Sequence, residues 1–150
     1  MEGADMDKAT PFIGAWKLVS FIMHGRQGET AHLLGEDPQG LIVYHECGYM
    51  SAQLANPSVP KFADDNQWLG APEEIKAAFE GFVSYYGTYS ISEESKTVTH
   101  HVEVSLFPNW VGQDQVRFYD FSGNRLTLST GSLRIGDQEW SAVLVWERIG

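Results

Sequence analysis

Short runs in which apolar and polar residues alternate, each closed by turn-forming residues, recur along most of this chain. A period of two puts alternate side chains on opposite faces of a strand, so such a chain folds into antiparallel sheet with one apolar face. The clearest pair of runs flanks Gly123-Asn124. Gly at the first central position of a two-residue loop makes a tight hairpin and sets its register. Phe121 then faces Leu126, Tyr119 faces Leu128 and Arg117 faces Thr130, with Asp120–Thr127 and Ser122–Arg125 on the other side. The first set is apolar and is expected to point inward. One hairpin earlier, a turn over Glu93–Lys96 pairs Ile91 with Val98, Tyr89 with His100 and Tyr85 with Val104. Val98, His100, Val102, Val104 and Leu106 then look inward, and Thr99, His101, Glu103 and Ser105 look out. Gly87, opposite Val102, leaves space beside them.

Further strands are predicted from Gly14, with Trp16, Leu18, Ser20 and Ile22 on one face, at Thr30–Leu34, and at Leu41–Tyr44 and Tyr49–Leu54 around a turn at Cys47-Gly48. Others follow at Tyr85–Ser92, Thr97–Phe107, Gln113–Phe121, Arg125–Thr130 and Trp140–Arg148. One helix is predicted over Pro72–Val83. Pro72 suits the first turn, Glu73 and Glu74 suit the positive end of the helix dipole, and Ile75, Ala78, Phe79, Phe82 and Val83 make one apolar stripe. That stripe is expected to cover core, and the loop before it, with Phe62, Trp68 and Leu69, is a candidate lid whose role the sequence leaves open. The expected fold is all-β, an antiparallel up-and-down barrel of about eight strands with one helix inserted between strands, since closure removes the exposed edges of so long a sheet. A sandwich is the alternative. Residues 1–13 are assigned to an N-terminal arm and 14–150 to a single domain, as 150 residues allow one core.

Composition narrows the functions. Ten Lys and Arg against 20 Asp and Glu give a net charge of −10, which argues against nucleic acid or an anionic membrane as partner. The single cysteine, Cys47, can form no internal disulfide, and there is no CxxC pair. No apolar run reaches the roughly 20 residues of a membrane span, and Met1–Pro11 does not read as a signal peptide. A reducing, cytoplasmic location is the resulting expectation. His24, His32 and His45 are scattered and no HExxH or HxH occurs, so neither a metal nor another cofactor is expected. His101 and Glu103, two apart on the outer face, read as a solvated ladder.

His100, Tyr89 and Arg117 form the most informative cluster. An unpaired guanidinium is costly to bury, and no Asp or Glu falls on the inward face of its strand or of the two assigned neighbours. A partly hydrated cavity with a polar ligand resolves this, as does a mouth position from which Arg117 snorkels to solvent.

Gly14-Ala15-Trp16 at the first strand and Val145-Trp146-Glu147-Arg148 at the last resemble the GxW opening and the closing arginine of calycin barrels. Gly35-Glu36-Asp37-Pro38, Gly40-Leu41-Ile42-Val43-Tyr44, Gly48-Tyr49-Met50-Ser51 and Tyr85-Tyr86-Gly87-Thr88-Tyr89 resemble the small microbial and fungal lipocalin-like domain family. So do Thr97-Val98-Thr99-His100-His101-Val102-Glu103, Pro108-Asn109-Trp110-Val111-Gly112, Gln115-Val116-Arg117 and Arg125-Leu126-Thr127-Leu128. The resemblance spans about Gly14 to Arg148 and implies a calycin-type barrel, with the last-strand arginine stacked over the first-strand tryptophan at the closed end. Two functions are open. In the first, the barrel binds a small, largely apolar molecule with an acidic or carbonyl oxygen, contacted by Tyr44, Ser51, Gln53, Tyr85, Val102, Tyr119 and Trp110 and anchored by Arg117, His100 and Tyr89. In the second it is a cofactor-independent cyclase, isomerase or dehydratase of a polyketide-like intermediate. His100, with a pKa near neutrality, then shuttles a proton while Tyr89 and Arg117 stabilise the developing oxyanion. Oligomeric state is not legible.

Overall fold

The computed structural model describes residues 8–150. Ten strands run β1 (Gly14–Gly25), β2 (Thr30–Ala31), β3 (Gln39–Tyr44), β4 (Tyr49–Ala55), β5 (Phe82–Ser92), β6 (Thr97–Ser105), β7 (Asp114–Ser122), β8 (Arg125–Ser129), β9 (Leu133–Ile135) and β10 (Gln138–Arg148). A helix, α1 (Pro72–Glu80), lies between β4 and β5. The sheet order is β2-β1-β3-β4-β5-β6-β7-β8-β10-β9, and β1 also pairs with β10. The result is a closed antiparallel barrel of eight strands, with β2 and β9 as short additions at its rim. The expected barrel is thus observed and the sandwich is not. The short hairpin β9–β10, turning at Gly136 with a φ of 63°, had not been anticipated.

The tight turns hold their expected registers. Gly123 takes a φ of 60°, and Phe121 faces Leu126 and Tyr119 faces Leu128. Across the Glu93–Lys96 turn, Ile91 faces Val98 and Tyr89 faces His100. Beyond Gly87 the register departs from expectation. Tyr86 pairs with Val104 and Gly87 with Val102, so Glu103 is an inserted residue. A bulge of this kind reverses the facing of everything after it. Tyr85 therefore sits opposite Ser105 rather than Val104, and Val104, half exposed at 50%, and Leu106 point out of the barrel. Gly87 is needed there, because a Cβ would stand 1.8 Å from the His101 carbonyl oxygen. A second bulge, at Val19 in β1, does the same. Trp16 and Leu18 point in before it and Met23 after it, so the expected face of Ser20 and Ile22 is exchanged for that of Phe21 and Met23.

The helix is shorter than its apolar stripe. Gly81 ends it, its N–H donating to the Ala77 carbonyl, and Phe82 and Val83 already belong to β5, where they pair with Ala55 and Leu54. At its start Glu74 accepts from the backbone N–H groups of Ala71 (2.9 Å) and Ala63 (2.8 Å). Ile75 and Phe79 are half exposed instead of buried. They border an open external groove with Val59 and Phe62. No helix among the described residues is long and apolar enough to cross a membrane.

One end of the barrel is stoppered. Phe12 is buried and meets the rings of Tyr119 and Phe121 edge-on at 4.9 Å and Tyr44 at 5.3 Å. The indole of Trp16 donates to the Phe12 carbonyl (2.8 Å). Arg148 stacks 4.2 Å from the Trp16 ring and donates to the carbonyls of Ile13 (2.8 Å) and Pro11 (2.6 Å). Of the segment assigned to an arm, residues 8–13 are thus docked and Ala9 is buried; the rest of it lies outside the described residues.

Candidate functional site

The other half of the barrel is hollow. A cavity of about 330 Å³ is walled by apolar side chains that include Phe21, Ile42, Leu54, Val83, Leu128 and Leu144. That is near the lower end of the roughly 300–1,000 Å³ usual for small-molecule sites, room for one compact ligand. Into it face His100, Tyr85, Arg117 and Trp110. Its rim is also apolar: Leu33, Leu133 and Ile135 line it and remain exposed to solvent.

His100 is brought inside by β6, where Val98 and Val102 flank it on the same face and are buried with it. It is 1% exposed. Both ring nitrogens are engaged: Nε2 lies 2.6 Å from the Tyr44 hydroxyl and Nδ1 lies 2.8 Å from the Tyr85 hydroxyl. Burial, aided by the charge of Arg117 and by His101, pulls its pKa down to about 3. The expected value near neutrality is therefore corrected, because burial of the ring with no carboxylate paired to it disfavours the imidazolium. Burial also raises the Tyr44 and Tyr85 hydroxyls, against a lowering pull from Arg117.

Arg117 is half buried on β7 and lines the cavity. Its Nη atoms donate to the Val116 carbonyl (3.0 Å) and to Gln115 Oε1 (2.8 Å). Among the described residues no carboxylate lies within ion-pairing distance of it. Carbonyl partners and an open cavity thus meet the burial cost anticipated for this side chain. Trp110, in the short 3-10 turn Pro108–Trp110, stands edge-on to Tyr85 at 5.7 Å. Trp146 also lines the cavity, and its buried indole N–H has no hydrogen-bond partner among the described residues.

Several expected site residues lie elsewhere. Tyr89 faces His100 in the ladder, but its hydroxyl donates to the His45 carbonyl (2.9 Å) and burial pushes its pKa up to about 12. It is not part of the cavity wall. Ser51 and Gln53 bond to each other at 2.9 Å on the outer face of β4, because Met50, Ala52 and Leu54 take the buried positions. Val102 is packed core. Tyr119 packs beneath the Phe12 stopper, and Tyr44 sits behind His100 without lining the cavity. Phe62, Trp68 and Leu69 do not cover the opening; Trp68 is 82% exposed on the outside. His101 is held on the outer face between Ser90 Oγ (2.9 Å) and Asp114 (2.8 Å). The rim residues Leu33, Leu133 and Ile135 went unrecognised, although three exposed apolar residues in turn-rich sequence are a signal of a surface with a task.

The sequence profile of the lipocalin-like domain family matches residues 13–149. A curated relative, the 4'-hydroxy-3'-methoxypropiophenone carrier protein of Aspergillus oryzae (strain ATCC 42149 / RIB 40), is 32% identical over 107 residues, covering 67% of this chain and 96% of the relative. No solved structure matches the chain.

Proposed function

The chain belongs to the lipocalin-like domain family, and on that footing we propose that it is a carrier whose barrel reversibly holds one small aromatic ketone. The observation that carries this reading is the cavity of about 330 Å³, walled mostly by apolar side chains, with His100, Tyr85 and Arg117 among its few polar lining residues, beside Glu80 and Thr130. Such a distribution suits a ring-bearing ligand with one oxygen to anchor. The name of the relative, a propiophenone carrier, supports the same ligand class.

Catalysis by the cyclase, isomerase or dehydratase route is less well supported. A proton shuttle works best with a pKa near the working pH, whereas that of His100 is about 3 and its two nitrogens are already occupied. Tyr89, the expected oxyanion partner, is committed to a backbone carbonyl. The exposed free thiol of Cys47 agrees with a reducing, cytoplasmic setting for the carrier.

Isothermal titration with propiophenone tests the proposal. We expect saturable one-to-one binding to the wild type and none to Ala52→Phe, in which a ring grows into the cavity from β4. The recovered ketone should be chemically unchanged. No binding to the wild type, or steady conversion to a new product, refutes the carrier reading.

A further inference from the structure

His100 makes two hydrogen bonds, and their directions are not free. A neutral imidazole carries one N–H. Of the hydroxyls at Nε2 and Nδ1, those of Tyr44 and Tyr85, one must therefore donate to the ring while the other accepts from it. The accepting tyrosine keeps its own hydroxyl proton for something else.

The surroundings decide which tyrosine that is. Tyr44 is 1% exposed, with Phe12 and Tyr89 edge-on at 5.3 Å and 4.9 Å. His100 is the one hydrogen-bond partner its hydroxyl has among the described residues. A spare proton on Tyr44 would be a buried donor with no acceptor, which folded proteins avoid. Tyr85, in contrast, lines the cavity beside His100, where a ligand atom can take its proton.

We propose that Tyr44 donates to Nε2 and so fixes His100 as the Nδ1–H tautomer, which leaves the Tyr85 hydroxyl as a directed donor to the ligand's carbonyl oxygen. This deepens the carrier reading and rests on it for the identity of the ligand. Tyr85 is the contacting residue; His100 and Tyr44 are positioning residues behind it. Arg117 adds to the effect, since two of its N–H groups are used by Val116 and Gln115 and the others remain on the side chain that faces the same cavity. The polar layer offers donors to a carbonyl, whereas an oxygen-free ligand of the same shape gains nothing from it.

Two measurements test this. The first is a long-range proton–nitrogen NMR correlation of the histidine rings in the ligand-free wild type, with His100 assigned by comparison with His100→Gln. We expect a protonated Nδ1 and a bare Nε2. A protonated Nε2, or a doubly protonated ring at neutral pH, overturns the proposal. In Tyr44→Phe, where Nε2 has lost its donor, a second tautomer should appear; an unchanged spectrum removes Tyr44 from its assigned role. The second is the affinity of propiophenone and of propylbenzene, its oxygen-free counterpart, for the wild type and Tyr85→Phe. Tyr85→Phe should weaken propiophenone about tenfold, the worth of one hydrogen bond, and leave propylbenzene within about twofold. Equal losses for both ligands refute the donor role. Failure of the wild type to bind either compound refutes the carrier reading, while the tautomer, read without ligand, still decides the present one.

Discussion

The neutral state of His100 has a measurable cost in acid. Its pKa is 6.5 when unperturbed and about 3 in the fold, so between those values the unfolded chain binds a proton that the native protein does not. Stability is then complete above the unfolded value and falls as the pH drops through it. At pH 5 the imidazole of the unfolded chain is almost fully charged while the native ring stays bare, which costs about 2 kcal/mol relative to pH 7 at 1.36 kcal/mol per pKa unit. Any folded value below about 4 gives nearly the same figure, since the native ring is unprotonated at pH 5 in every such case. The perturbation is His100→Gln, which keeps two hydrogen-bonding ends but cannot be protonated. The assay is urea unfolding of both proteins at pH 7 and pH 5. Background titration common to the two proteins cancels in the difference. His100→Gln should be less stable than the wild type at pH 7, and the gap should shrink by about 2 kcal/mol at pH 5. A gap equal at the two pH values within about 0.5 kcal/mol would refute a buried, neutral imidazole.

Three further outcomes are expected. Arg148→Lys keeps the charge but loses the fork that reaches two carbonyls while stacked on Trp16; urea unfolding should show a loss of about 1–3 kcal/mol. Gly87→Ala drives a Cβ into the His101 carbonyl and should cost about 3 kcal/mol or more, measured by the same unfolding assay. Arg117→Met removes one cause of the depressed His100 pKa, so NMR titration should find that pKa higher than in the wild type, and propiophenone should bind more weakly.

What was legible in the chain depended on how far each signal reached. The Phe121–Leu126 and Tyr89–His100 pairings were readable because short turns set the register over the next few residues. Tyr85 and Val104 were misplaced because the insertion at Glu103 has no composition of its own. Gly87 marked the spot, but as empty space rather than as a site where two backbones approach. The polar pair Ser51 and Gln53 was drawn to the site by chemistry alone, when Met50, Ala52 and Leu54 between and beside them already dictated the opposite face. The Tyr44–His100 contact spans 56 residues and joins strands that are not neighbours in the sheet, so no local pattern encodes it. The stripe of α1 was real as a pattern; its last two members were claimed by β5 because ladder pairing with Ala55 and Leu54 outweighs one more helical turn.

The stopper built from Phe12, Trp16 and Arg148 makes the interior a cul-de-sac. In the proposed carrier, a guest that enters past Leu33, Leu133 and Ile135 meets that stopper at the far end and leaves by the rim it came through. Exchange in such a carrier is sequential: the occupant departs before a successor arrives. In the proposed carrier, dwell time is governed at that rim, and a recipient of the cargo would meet the barrel there.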